Sequence, residues 1–191
     1  MEEGLAQQYP SLVKVVLFGP ESTGKTTLAK QLAAHYKTTW VPEYMRAYLQ
    51  DKWDLHGQRC EQADLLPIAR GQMALENERA KDANRLLVCD TDLLELKVYA
   101  EAYYEGNCPS AIAKQALKNQ YHLYLLTQID VPWEPDDLRD RPADRAYMFE
   151  LFKTALKKYQ RTFILLSGEQ KDRFLTATHA INKLLDHGRL D

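Results

Sequence analysis

The chain has 191 residues, 45% hydrophobic and 27% charged, with a formal net charge of -2. That length buries one good core but not two full domains, and the near-neutral balance excludes a disordered chain and a strongly basic nucleic-acid or membrane-surface binder. Cys60, Cys89 and Cys108 have neither CxxC nor zinc-ligand spacing, which argues against a disulfide framework or metal cluster. The acidic start "MEEGLAQQYPSLVK" lacks a signal-peptide core, and no apolar run approaches the roughly 18 residues of a membrane span, so a cytoplasmic protein is expected.

In chain order, the first apolar run is "KVVLFG" (14–19), followed by a helix pattern with Leu28, Leu32, Ala33 and Tyr36 along one side. Further strand-length runs are "TTWVPE" (38–43), "RLLVCD" (85–90), "YHLYLLT" (121–127) and "TFILLS" (162–167). Residues 143–159 form a helix pattern in which Met148, Phe149, Phe152, Ala155, Leu156 and Tyr159 share a face. A last helix is expected over about 170–186, with Phe174, Ala177, Ile181, Leu184 and Leu185 on one side. The irregular segment 128–145, "QIDVPWEPDDLRDRPADR", reads as a loop stiffened by Pro132, Pro135 and Pro142. Apolar strands alternating with helices imply an α/β three-layer sandwich: a five-stranded parallel sheet with helices on both faces.

Between the first strand and the first helix, "GPESTGKT" fits G-x-x-x-x-G-K-[ST], the P-loop of an NTPase. Its glycines let backbone N–H groups wrap phosphates, Lys25 neutralises the β and γ phosphates, and Thr26 offers a hydroxyl to Mg²⁺. The expected nucleotide set is Gly19, Glu21, Ser22, Thr23, Gly24, Lys25, Thr26 and Thr27, with ATP and Mg²⁺ as cofactors. Asp90, at the end of a buried-strand pattern, is the choice for the Mg²⁺ shell. Asp92 fits a helix cap as well as it fits substrate binding.

A P-loop alone does not name a reaction, but the N-K-x-D base-reading motif of GTPases is absent. Glu43 in "VPEYMR" stands where the second strand should end and can accept the proton of an attacking hydroxyl, with Arg46 on the same face; the alternative is an exposed glutamate at a helix start. In the 128–145 loop, Arg139 and Arg145 are the preferred phosphate contacts and Arg141 the third, if the loop is a lid rather than a solvated surface loop. Candidate substrate contacts are Tyr44, Arg46, Gln72, Asp92 and Trp133, the last a large aromatic in a charged loop.

"GPESTGKTTLAKQLA", "VPEYMRAYL", "LLPIARGQMALE", "CDTDLL" and "YLLTQIDVPWEPDDLRDRPADR" occur in an order that resembles the ribosylnicotinamide kinase domain of the NadR family, from about Val13 to Gly168. The resemblance implies a fold akin to nucleoside and nucleotide kinases, with the Asp90 strand beside the P-loop strand. It also implies ATP-dependent phosphorylation of the 5′-hydroxyl of nicotinamide riboside, a small-molecule substrate, in NAD salvage. On it, Lys25 and Thr26 serve ATP and Mg²⁺, Glu43 and Asp90 take the carboxylate positions, and Arg139 and Arg145 belong to the lid. Two departures stand out. The chain starts too close to its first strand to carry the family's DNA-binding and adenylyltransferase segments, and Asp137 replaces the usual lid glycine. A related nucleoside or small alcohol as acceptor, or a nucleotide-gated regulatory module, are the alternatives.

Overall fold

The structure, a computed structural model, describes residues 4–9, 11–136, 138 and 142–187. Five strands, β1 (Val13–Phe18), β2 (Trp40–Val41), β3 (Leu86–Asp90), β4 (Leu123–Thr127) and β5 (Phe163–Leu166), form one parallel sheet in the order β2-β3-β1-β4-β5. Each of the five apolar runs therefore contributes its strand, and the Asp90 strand lies beside the P-loop strand, with Leu17 opposite Asp90. Helices α1 (Lys25–Tyr36), α2 (Tyr44–His56), α3 (Leu65–Asp82), α4 (Leu93–Tyr103), α5 (Ser110–Lys118), α6 (Arg145–Lys158) and α7 (Gln170–His187) make the connections.

Strand periodicity divides the core in two. Val15, Leu17, Val88 and Leu125 face α1 and α7, packing on Leu28, Leu32, Ala177 and Ile181. Val16, Phe18, Cys89, Tyr124 and Leu126 face the other way, into a larger layer with Ile68, Met73, Leu94, Ile112 and Phe152. Because both faces are covered, the strands read as unbroken apolar runs rather than alternating ones. β2 is an edge strand of two residues, shorter than the apolar run that contains it; Pro42 follows it and cannot extend the ladder.

In this topology the carboxyl ends of all five strands open onto one edge, where the β1–α1, β2–α2, β3–α4, β4–α6 and β5–α7 connections meet. Asp92 sets one of these junctions: its side chain caps α4 by accepting the Glu95 N–H at 2.9 Å. Thr91 before it has φ 81°, a strained conformation for a β-branched residue, and lets successive carboxylates point in different directions.

Candidate active site

The β1–α1 loop is built around two glycines. Gly19 has φ 134°, and a Cβ there would lie 2.9 Å from Thr127 Oγ1 and 3.1 Å from its carbonyl oxygen; Gly24, at φ 82°, opens α1. Thr23 turns inward, its hydroxyl donating to Pro20 O and sharing a 2.7 Å hydrogen bond with Thr127 Oγ1. Lys25 is buried, donating to Gly19 O (2.6 Å) and Pro20 O (2.9 Å), and its Nζ lies 3.2 Å from Glu95 Oε1. Burial pulls the lysine pKa down, but Glu95, Glu43 and Asp90 outweigh it and hold it above the ordinary value. Glu95 Oε2 accepts the Gly19 N–H at 3.2 Å.

Thr26 Oγ1 donates to Asp90 Oδ2 at 2.5 Å, while Asp90 Oδ1 is buried without a hydrogen-bond partner among the described residues. Burial raises the Asp90 pKa against the pull of Lys25 and Thr26. A hydroxyl, one carboxylate with an unsatisfied oxygen, and phosphates supplied by a nucleotide are the oxygen donors that Mg²⁺ takes, so these residues fit the ion.

Two cavities converge on this loop. One, of about 510 Å³, runs along Ser22–Thr27 and is bounded by Trp40, Val131, Pro132, Glu134 and Gln170. The other, of about 330 Å³, is lined mainly by Met45, Leu49, Leu65, Leu96, Tyr99, Tyr103 and Tyr104. They share Glu21, Lys25, Glu43 and Arg46. The segment after β4 folds across both: Glu134 N donates to Ser22 Oγ, Arg46 Nη2 meets Asp136 Oδ2 at 2.7 Å, and Leu138 lines the apolar cavity. Arg145 donates to Val131 O (3.1 Å) and Ser22 O (3.2 Å) and lies 5.5 Å from the Trp133 ring, which joins this segment to the P-loop. Arg173 of α7, 2% exposed, donates to Thr23 O, Gln128 O and Gly168 O and pairs with Asp130.

A family model described as an AAA domain (AAA_28) matches residues 14–173. The chain belongs to this AAA domain family. The chain is 28% identical over 180 residues to the trifunctional NAD biosynthesis/regulator protein NadR of Escherichia coli K12, covering 92% of this chain and 43% of the relative, so it spans less than half of that relative's length. A crystal structure of NadR in complex with NR superposes with TM-score 0.72 at 19% identity, over 91% of this chain and 51% of that one. Thymidylate kinase from Ehrlichia chaffeensis superposes with TM-score 0.62 at 14% identity, over 91% and 99%. The fold is that of the P-loop nucleoside and nucleotide kinases.

Of the residues chosen from sequence, the AAA domain brings Glu21, Ser22, Thr23, Gly24, Lys25, Thr26, Thr27, Glu43, Arg46 and Asp90 to the walls of the larger cavity. Tyr44 lines neither main cavity; its ring lies over Gly71, where any Cβ would collide with it. Gln72 donates to Pro42 O and accepts the Tyr44 N–H, holding the β2–α2 turn. Asp92 accepts from Glu95 N and from Tyr124 OH at 2.7 Å, and burial pushes its pKa up to about 6. Trp133 packs by Arg145. Arg139, Arg141 and Asp137 lie outside the described residues. Sequence reasoning did not single out Glu95 or Arg173. Glu95 carried one signal, since Asp92-x-x-Glu95 has capping-box spacing, but that pattern points to a helix start and not to the P-loop.

Among the described residues no helix is long and apolar enough to cross a membrane.

Proposed function

We propose that this protein is an ATP-dependent kinase that phosphorylates the 5′-hydroxyl of a nucleoside, namely nicotinamide riboside, to the mononucleotide. The observation that carries the reading is the meeting of the two cavities at Glu21, Lys25, Glu43 and Arg46. A polar compartment beside the P-loop suits ATP, and an apolar, tyrosine-lined compartment suits a nucleoside whose ring stacks on aromatic faces. The NadR likeness supports nicotinamide riboside in particular, whose pyridinium charge favours the rings of Tyr99 and Tyr103 and the Glu43 carboxylate.

In this reading Glu43 holds the 5′-hydroxyl and receives its proton as the hydroxyl oxygen bonds to the γ-phosphorus and the bond to the ADP oxygen breaks. Lys25 and the N–H groups of the P-loop stabilise charge on the transferring oxygens. Arg46 at the shared wall and Arg145 at the lid root orient the two substrates, and the segment held by Glu134 and Asp136 excludes water. Thr26 and Asp90 would hold Mg²⁺, which supplies charge neutralisation at the phosphates.

The test is turnover of purified protein with ATP and Mg²⁺ against a nucleoside panel that includes nicotinamide riboside, following ADP and product by mass spectrometry. Nicotinamide mononucleotide formed far faster than any other product supports the reading. Preferential turnover of another nucleoside rejects the substrate, and ATP binding without turnover of any acceptor rejects the kinase.

A further inference from the structure

Glu95 belongs to α4, yet both its carboxylate oxygens address the phosphate loop. Oε2 accepts the Gly19 N–H at 3.2 Å and Oε1 lies 3.2 Å from Lys25 Nζ. At the third position of its helix, after the Asp92 cap, a glutamate ordinarily turns back to the cap's own N–H. Here it is directed to the P-loop instead, 1% exposed and absent from the walls of both cavities. Lys25 is held on the same side, its other hydrogen bonds going to Gly19 O and Pro20 O.

A polyphosphate in the adjoining cavity competes with Glu95 for the same ammonium. When the ammonium moves to phosphate, Glu95 is left buried among anions. Among the described residues, the titratable and charged groups that act on it are Lys25 of α1, Glu43 at the β2–α2 turn, Asp90 at the end of β3 and Asp92 at the α4 cap, with Tyr99 of α4 coupled to it. Three of these are carboxylates and one is a cation. A carboxylate that loses its cation in such surroundings takes up a proton.

The geometry points to Glu95 as a positioning residue that holds Lys25 within the phosphate loop and gains a proton from solvent when a nucleotide polyphosphate draws Lys25 away. The inference rests on the reading of this loop as a nucleotide phosphate site. Burial, opposed by Lys25, already pushes the Glu95 pKa up to about 8, and withdrawal of Lys25 removes the chief influence that lowers it. The liganded protein then carries more protons than the free one. Rising pH therefore opposes binding, and affinity falls about tenfold per pH unit above about pH 8.

The experiment is isothermal titration of the full chain with Mg·ADP at pH 8.5, in two buffers of different ionisation enthalpy, with the dissociation constant followed from pH 7.5 to 9.5. With a free-state pKa of about 8, the wild type is expected to take up about three-quarters of a proton per ADP at pH 8.5, approaching one by pH 9.5, and to show the tenfold-per-unit loss there. Glu95→Gln, which keeps the shape but cannot titrate, is expected to bind ADP without proton uptake and with a flat pH profile. A merely structural Glu95 would change stability or affinity but leave the proton count alone. ADP binding by the wild type without proton uptake overturns the inference and leaves the phosphate site standing, as does uptake that persists in Glu95→Gln. No ADP binding at all overturns the phosphate-site reading and this inference with it. If the variant does not fold, the wild-type buffer series decides alone.

Discussion

Replacing Arg173 with Met tests how the phosphate loop is held in place. The guanidinium donates to Thr23 O at 2.8 Å, Gly168 O at 2.9 Å and Gln128 O at 3.1 Å, tying the P-loop to the segments after β4 and β5. Hydrogen bonds from a charged donor are worth about 1.5–3 kcal/mol each, so three of them sum to about 4.5–9 kcal/mol before water is considered. The Asp130 carboxylate is 34% exposed, so solvent replaces much of its share and the pair itself adds little. The carbonyl at Thr23, deep in the loop, has no such access. With partial rehydration elsewhere, a loss of about 3–5 kcal/mol remains, in the range for a broken buried ionic group. In a chain of this size that lowers Tm by about 6–20 °C. Circular dichroism melts of wild type, Arg173→Met and Asp130→Asn measure it, the last variant keeping an oxygen for the Gly168 N–H and for Arg173 and so expected to lose less than Arg173→Met. The reasoning is refuted if Arg173→Met melts within the error of wild type, because the carbonyl contacts would then be energetically idle.

Glu43→Gln is expected to lower kcat by about 10²–10⁴-fold while ATP affinity measured by titration stays within about twofold; equal losses in both would assign Glu43 to nucleotide binding instead. Glu76 is buried and accepts from Lys14 Nζ, Gln7 Nε2 and Tyr121 OH, so Glu76→Leu should destabilise by about 3–5 kcal/mol in urea unfolding, and a loss below about 1 kcal/mol would contradict that. Asp92 has its pKa raised to about 6 when folded, so the folded state holds the extra proton and stability falls as pH rises from about 4 to about 6. Relative to Asp92→Asn, the wild type should lose up to about 1.4 kcal/mol per pH unit across that window and no more above it; a difference independent of pH would show that Asp92 is not so perturbed.

The sheet was legible because parallel strands buried on both faces must be apolar throughout, and this chain has five such runs. The P-loop was legible because backbone wrapping of phosphate demands glycines at fixed places, and Gly19 and Gly24 both stand at positive φ. The apolar compartment was not legible. Its lining residues Tyr99, Tyr103, Met45, Leu49 and Leu65 have the composition of any helix interior, and only the packing of α2, α3 and α4 turns them toward a cavity. Tyr44 shows the converse: adjacent to Glu43 in sequence, it occupies the space left by Gly71. Arg173 was hidden because a lone arginine in an amphipathic helix reads as surface, and what buries it is a set of carbonyls from the turn just before α7 and from two loops distant in sequence.

Two buried polar clusters lie at opposite ends of β1, and their hydrogen bonding separates structure from chemistry. At the amino end, Lys14 and Glu76 are matched by Gln8 O, Gln7 and Tyr121, leaving the Glu76 oxygens partnered. At the carboxyl end, among the described residues, Asp90 Oδ1 is buried without a hydrogen-bond partner, and Glu95 Oε1 meets Lys25 Nζ at 3.2 Å without a well-formed hydrogen bond. Desolvating a carboxylate oxygen without a partner costs about 1–3 kcal/mol or more, and a fold that satisfies one cluster gains nothing structural by leaving the other incomplete. The incomplete cluster borders the larger cavity, and its open oxygens are acceptors, suited to cations and to protons rather than to phosphate itself. Under the proposed kinase reading, phosphate goes to Lys25 and the loop N–H groups, the metal to Asp90 with Thr26, and the proton to Glu95, so that the two open carboxylates serve different cations.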